Sequence, residues 1–347
     1  MELVKNQEVK RVLAILRNNM ASAGEGNKAY FVKYEKQYIT PEIEQEIEQA
    51  YQTLGLGFKL KRSKEELYAI SYNRDISLAN VKNVYLAQQL IPKYQLQAMD
   101  YSHIDNYLLQ YVELGYYEED IYLPQIKDKG DIWMTPSMTE YNTMQKSIKS
   151  ANGHILTFGL GLGFYQYLCL CREEVTELTV VEKNPRIIHL FKTAILPQFK
   201  TNKPIHIIQG DIADYYTQEF VNQFNHVFVD IWFNNEDGYL IYMGLLARQL
   251  IHPHIDYWVE DSFLMTTKYA IATYLIHREQ GTLNECLRRP SKDLPSCLFK
   301  GIHTAFGQVP DILSTESDIL KYIHDTVFIK KCLVTTWEIV KNYTIRE

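Results

Sequence analysis

Gly159, Gly161, Gly163, Glu182, Asp211 and Asp230 have the types and intervals of a ligand crevice. The glycines alternate in the stretch Thr157-Phe-Gly-Leu-Gly-Leu-Gly-Phe164. Glycine there permits a tight turn and close approach of the backbone to a ligand, and a helix starting after it would offer N–H groups to an anionic group. Close helix–sheet packing is the other use of such glycines. Glu182 comes about 20 residues after the first glycine, the interval at which a carboxylate can accept hydrogen bonds from both hydroxyls of a ribose. Solvation of a strand end is its plainer role, against which Asn184-Pro185 opens the next helix and leaves Glu182 facing a crevice. Asp211, in Gln209-Gly210-Asp211, could receive an adenine amino group beside the Ile212 backbone, or simply cap a helix. Asp230 ends an otherwise apolar run, where a carboxylate is costly unless it meets a cation, a proton or a structural hydrogen bond. Trp232 and Phe233 follow it and could close the crevice or serve packing.

These residues must be held by regular elements. From residue 150, short apolar runs at 154–158, 178–182, 205–209, 226–231 and 255–259 alternate with segments long enough for crossover helices at 163–172, 185–196, 212–222 and 237–251. That rhythm predicts an α/β fold with a doubly wound parallel sheet, whose ligands gather at the carboxyl ends of the strands. All the residues above fall at such ends. Residues 1–130 read as a mainly helical domain. Leu3, Val9, Val12, Leu13 and Leu16 recur roughly at helical spacing, Thr40-Pro41 opens a second helix, and further helices are expected over 63–71, 79–98 and 102–114. The polar run from Lys127 to Asp131 is the expected hinge to a second domain, 131–347. After residue 266 the pattern predicts another helix and closing antiparallel strands at 326–334 and 336–340.

Length and composition bound the rest. A chain of 347 residues with 46% hydrophobic content can bury a sizeable core. Its net charge of −6 gives no global pull toward nucleic acid or an anionic membrane, so neither is expected as a partner. Five cysteines without CxxC spacing indicate neither a disulfide framework nor a zinc site, which fits a cytoplasmic setting. The charged N-terminus and the lack of a long apolar run predict neither a signal peptide nor a membrane span. The 26 tyrosines are dispersed, as half-buried packing residues are. His252 and His254 flank Pro253 as in some metal sites, but no further ligand accompanies them, and no metal is expected. Arg288, Arg289 and Lys292, diluted by Asp293, read as a solvated turn.

The series TFGLGLGF, VVEKNP, IIQGD and FVDIW resembles the motifs of class I S-adenosylmethionine (SAM) dependent methyltransferases over residues 133–265. Thr139 to Met144 and Phe191 to Pro197 look like the spermidine synthase branch. The resemblance implies a Rossmann-like SAM-binding domain in which the loop from Gly159 through Leu160 and Gly161 to Gly163 holds the amino-acid tail. Glu182 with Lys183 would then hold the ribose, Asp211 with Ile212 the adenine, and Asp230 would lie near the amino group or the reacting centre. By its position Asp230 is also the candidate to take the acceptor's proton. Glu140 and Tyr141, on the helix before the first strand, could lie over the donor or form an exposed helix face. Glu260-Asp261 could contact substrate or cap the following helix. Thr157 stands where an acidic residue is frequent in the family, and Phe233 where spermidine synthases carry a second aspartate, which argues against polyamine chemistry. The Asn/Asp-Pro-Pro-Tyr signature of amino-group methyltransferases acting on bases or glutamine is absent. A nicotinamide dinucleotide would want a small residue at Phe164 and gives no reason for Asp211. The expected function is methyl transfer from SAM to a small-molecule acceptor. The alternatives are aminopropyl-type transfer, or a non-catalytic binding module with a protein partner. A homodimer is a further expectation.

Overall fold

The computed structural model describes residues 1–22, 31–57, 59–128, 131–233, 235–290 and 293–344. A short strand β1 (Glu2–Leu3) leads into α1 (Gln7–Ser22), which buries Val9, Val12, Leu13 and Leu16 as their spacing predicts. α2 (Pro41–Thr53) begins as expected, with the Thr40 side chain accepting from the Ile43 N–H and proline at the first position. α3 (Lys64–Ala69) and α4 (Ser71–Asp75) complete the helical part of this half. Asp75, at the end of α4, is a buried anchor. Its carboxylate accepts from Arg74 at 3.0 Å, and from Lys200 and the Tyr167 hydroxyl at 2.7 Å each. Arg74 and Lys200 hold that carboxyl well below the usual carboxylate range.

The helices expected over 79–98 and 102–114 are strands. β2 (Leu86–Ile91), β3 (Gln97–Ile104), β4 (Gln110–Gly115), β5 (Ile121–Asp128) and β6 (Asp131–Met134) form one three-stranded antiparallel sheet, ordered β2-β5-β6, and a separate β3–β4 hairpin. Leu86 and Leu90 have the four-residue spacing of a helix, yet each pairs across the sheet, with Ile126 and Tyr122. The hairpin closes a small second core of Phe31, Tyr34, Ile47, Tyr51, Leu60, Leu96, Val112 and Leu114. The expected hinge is the β5–β6 hairpin connection, where Lys127 pairs with Ile132 and Asp128 with Asp131; residues 129–130 lie outside the described residues.

After α5 (Met138–Ser150) the expected alternation follows: β7 (Gly153–Phe158), α6 (Phe164–Leu170), β8 (Val175–Glu182), α7 (Pro185–Leu190), β9 (Ile205–Gln209), α8 (Ile212–Tyr215), α9 (Gln218–Val221), β10 (His226–Val229), α10 (Asn235–Leu246) and β11 (Ile255–Tyr257). The five strands form one parallel sheet in the order β11-β10-β7-β8-β9. The chain winds from β7 out to β9, then crosses back to place β10 beside β7. This is a Rossmann-like sheet.

The C-terminal portion is helical: α11 (Glu260–Gln280), α12 (Leu283–Leu287), α13 (Leu294–Gly307), α14 (Glu316–His324) and α15 (Thr326–Thr344), with β12 (Ile312–Leu313) pairing parallel to β1. The two strands expected at 326–340 are therefore one helix. Its β-branched residues cost a few tenths of a kcal/mol each in helical form. Against this, Phe328, Ile329, Leu333 and Val340 become buried along one stripe, at about 1.5–3 kcal/mol each, which outweighs the propensity. Gly301 of α13 lets this helix approach closely, since a Cβ there would lie 2.1 Å from the Thr336 hydroxyl. Arg288 and Arg289 follow α12 directly and Asp293 caps α13; residues 291–292, including Lys292, lie outside the described residues. No described helix is long and apolar enough to cross a membrane.

Candidate functional site

Strand register brings the site residues to one rim. Phe158 of β7 pairs with Val181 of β8 and Val229 of β10, and Glu182 pairs with Gln209 of β9. The next residues along the chain, Gly159, Asp230 and Gly210-Asp211, therefore leave the sheet at nearly the same level as Glu182. A cavity of about 660 Å³ opens there, the size of a small-ligand site. Gly159, Leu160, Gly161, Glu182, Lys183, Asp211, Ile212, Asp230 and Trp232, all expected at the site, line it.

The carboxylates differ in their partners. Glu182 accepts from the Leu160 N–H at 3.0 Å through one oxygen and from the Asn184 N–H at 2.6 Å through the other. The Lys183 N–H also bears on this carboxylate, and a carboxylate has sites for about four donors. Burial pushes this carboxyl above its ordinary value against the pull of those bonds. Asp211 caps α8 by accepting from the Ala213 N–H at 2.9 Å, and also pairs with Lys183 at 2.7 Å; both hold its carboxyl below the ordinary carboxylate value. It thus has the capping role and a place on the crevice wall together. Asp230 accepts no hydrogen bond among the described residues, and burial, reinforced by the Glu182 charge, pushes it up to about 7. Glu140 is raised well above the ordinary range by burial and then by the Asp230 charge.

Within the glycine loop, three amides and a carbonyl are bonded to the protein's own groups. Gly159 has φ 95°, and a Cβ on it would lie 1.8 Å from the Asp230 carbonyl oxygen, so it permits β7 and β10 to meet. The Leu160 N–H is taken by Glu182, the Leu162 N–H by the Met134 sulfur at 3.3 Å, and the Gly163 N–H by the Leu160 carbonyl at 2.8 Å. Buried Gln166 donates to the Gly159 carbonyl at 3.0 Å and to Thr157 at 3.2 Å. The loop is fixed by the protein's own groups.

Several expected residues lie elsewhere. Gly163 is behind the loop, where a Cβ would lie 2.4 Å from the Phe191 ring, so its role is packing and not ligand contact. Tyr141 packs against the core and is not on the cavity wall. Glu140 is not on that wall either, although it lies near enough for the Asp230 charge to raise its carboxyl. Glu260 accepts from the Tyr242 hydroxyl at 2.5 Å and pairs with Lys330 at 2.8 Å, lining a second cavity between α5, the β3–β4 hairpin and α11. Trp232, by contrast, is on the wall: it is buried edge-on to Phe263, in space left by Gly238. His252 bonds to the Phe224 carbonyl at 3.0 Å. Sequence reasoning missed Trp133 and Met134, which reach the crevice from β6; an aromatic next to a methionine at the end of a short strand carries no local sign of that role.

No protein-family model matches the chain, and no curated protein is significantly similar to it. Among solved structures it is similar to spermidine synthase from Thermotoga maritima, at 13% identity and TM-score 0.30 over 43% of this chain and 59% of that one. A spermidine synthase in complex with the transition-state analogue AdoDATO gives 13% identity and TM-score 0.30 over 43% and 58%. Shikimate dehydrogenase from Mycobacterium tuberculosis gives 13% identity and TM-score 0.24 over 60% and 61%. The chain thus spans about three-fifths of the length of each.

Proposed function

We propose that the crevice binds SAM and that the chain transfers its methyl group to a small-molecule acceptor. The observation that carries this reading is the chemistry of the rim. Its walls hold Glu182, Asp211 and Asp230, its one lining lysine among the described residues, Lys183, is tied to Asp211, and three loop amides already have protein partners. A pyrophosphate would meet repulsion and few donors, whereas a nucleoside with cationic groups and no phosphate meets complementary charge. When bound, SAM supplies a methyl group already activated by its sulfonium. Glu182 accepts from the ribose hydroxyls, and Asp211 and Ile212 flank the adenine. Trp133, Trp232 and Phe233 exclude water from the reacting end. Asp230 receives the proton that the acceptor nucleophile loses.

Glu182→Ala removes the paired ribose contact and lowers SAM affinity at least tenfold, about 1.4 kcal/mol. Calorimetric titration checks this: an affinity equal to that of the parent chain contradicts the ribose assignment. Release of S-adenosylhomocysteine, and not methylthioadenosine, on turnover identifies the transferred group as methyl.

A further inference from the structure

We infer that Met134 sets the specificity of the crevice, because its thioether fills the place where the glycine loop would otherwise receive a phosphate. The inference rests on the nucleoside reading above. Met134 ends β6, is nearly buried, and lines the crevice beside Trp133. Its sulfur lies 3.3 Å from the Leu162 nitrogen, and a Cβ on Gly161 would lie 2.9 Å from the same sulfur. One side chain from the N-terminal half thus covers both the amide and the bare face of the loop.

Successive backbone N–H groups in a glycine turn form an anion-binding concavity. Here two of those amides are committed within the protein, Leu160 to Glu182 and Gly163 to the Leu160 carbonyl. The amide of Leu162 is held only by a thioether, a weak acceptor that a phosphate oxygen would outcompete if it could reach the site. What keeps it from doing so is the volume of Met134. Truncation to alanine removes the sulfur and both carbons around it, and extends the crevice to the Leu162 N–H and Gly161. Leucine at 134 restores bulk without the sulfur.

The test titrates adenosine and adenosine 5′-monophosphate into the parent chain, Met134→Ala and Met134→Leu, with Met134→Val replacing the alanine variant if that fails to fold. Glu182 and Asp230 repel a phosphate in every variant, so the readout is the ratio of the two affinities. The parent binds adenosine in preference to the monophosphate. Truncation shifts the ratio about tenfold toward the monophosphate, the worth of a charge-assisted hydrogen bond, and leucine leaves it at the parent value. A ratio unmoved by truncation, with adenosine still bound, overturns the role of Met134 and leaves the nucleoside reading standing. Failure of the parent to bind adenosine, S-adenosylhomocysteine or SAM overturns both.

Discussion

Asp230→Asn unfolds at a higher temperature than the parent chain at pH 8, while losing about a thousandfold in methyl transfer. Both effects come from one half-buried carboxyl at the crevice. Burial and the charge of Glu182 push Asp230 up to about 7, above the ordinary value of 3.8 that it regains on unfolding. The folded state therefore binds this proton more tightly than the unfolded state. The stability from that difference is fully present below about pH 4 and is lost as pH rises through about 7. Asparagine is neutral throughout, so the variant escapes the loss: the two melting curves coincide near pH 4, draw apart between pH 4 and pH 7, and stay a constant distance apart above that. Activity runs the other way. A proton acceptor must be ionised, so kcat/KM of the parent climbs with pH through about 7 and then levels, whereas the variant stays flat and low. Thermal unfolding at pH 4 and pH 8 needs no acceptor, and equal midpoint differences at both would contradict the buried, partly protonated state of Asp230.

Gly159→Ala destabilises the fold by about 4 kcal/mol: roughly 1 for a side chain at positive φ, and about 3 for displacing backbone that has no room to move. The contact responsible is with a carbonyl. A Cβ at this position would lie 1.8 Å from the Asp230 oxygen, and the Asp230 N–H is itself bonded to Phe158 at 2.8 Å within the β7–β10 ladder. Neither partner is a flexible side chain. Four kcal/mol is a large part of the 5–15 typical of a folded chain, so the variant accumulates in insoluble form or melts at much lower denaturant. Gly57→Ala is the control, since an added Cβ there meets nothing within 4 Å. Urea unfolding of both variants checks the contrast, and equal midpoints would show that the sheet tolerates a wider β7–β10 gap.

The parallel sheet was legible because its strands are covered on both faces, so each reads as an uninterrupted apolar run such as Val227-Phe228-Val229. Helices could be placed between such runs by elimination. The N-terminal strands were not legible, because their type is set by partners far along the chain. Leu86 and Leu90 satisfy a helix locally, and only pairing with Ile126 and Tyr122 makes them a strand. The same holds for α15, whose β-branched residues suggest strands until α13 is present to bury one stripe of them. At the site, Glu182, Asp211 and Asp230 could be found from their intervals, because each leaves a strand at the same rim. Met134 could not, since its contact with Leu162 joins two halves of the molecule. Nor could the state of Asp230, which depends on burial and on Glu182, a neighbour from another strand.

The central claim is that the crevice takes an adenine nucleoside bearing cationic groups and no phosphate. Parallel isothermal titration of the purified chain with SAM, S-adenosylhomocysteine and NAD tests it most directly. Micromolar binding of the first two with none of the third is the predicted result; binding of NAD alone, or of none of the three, would contradict it.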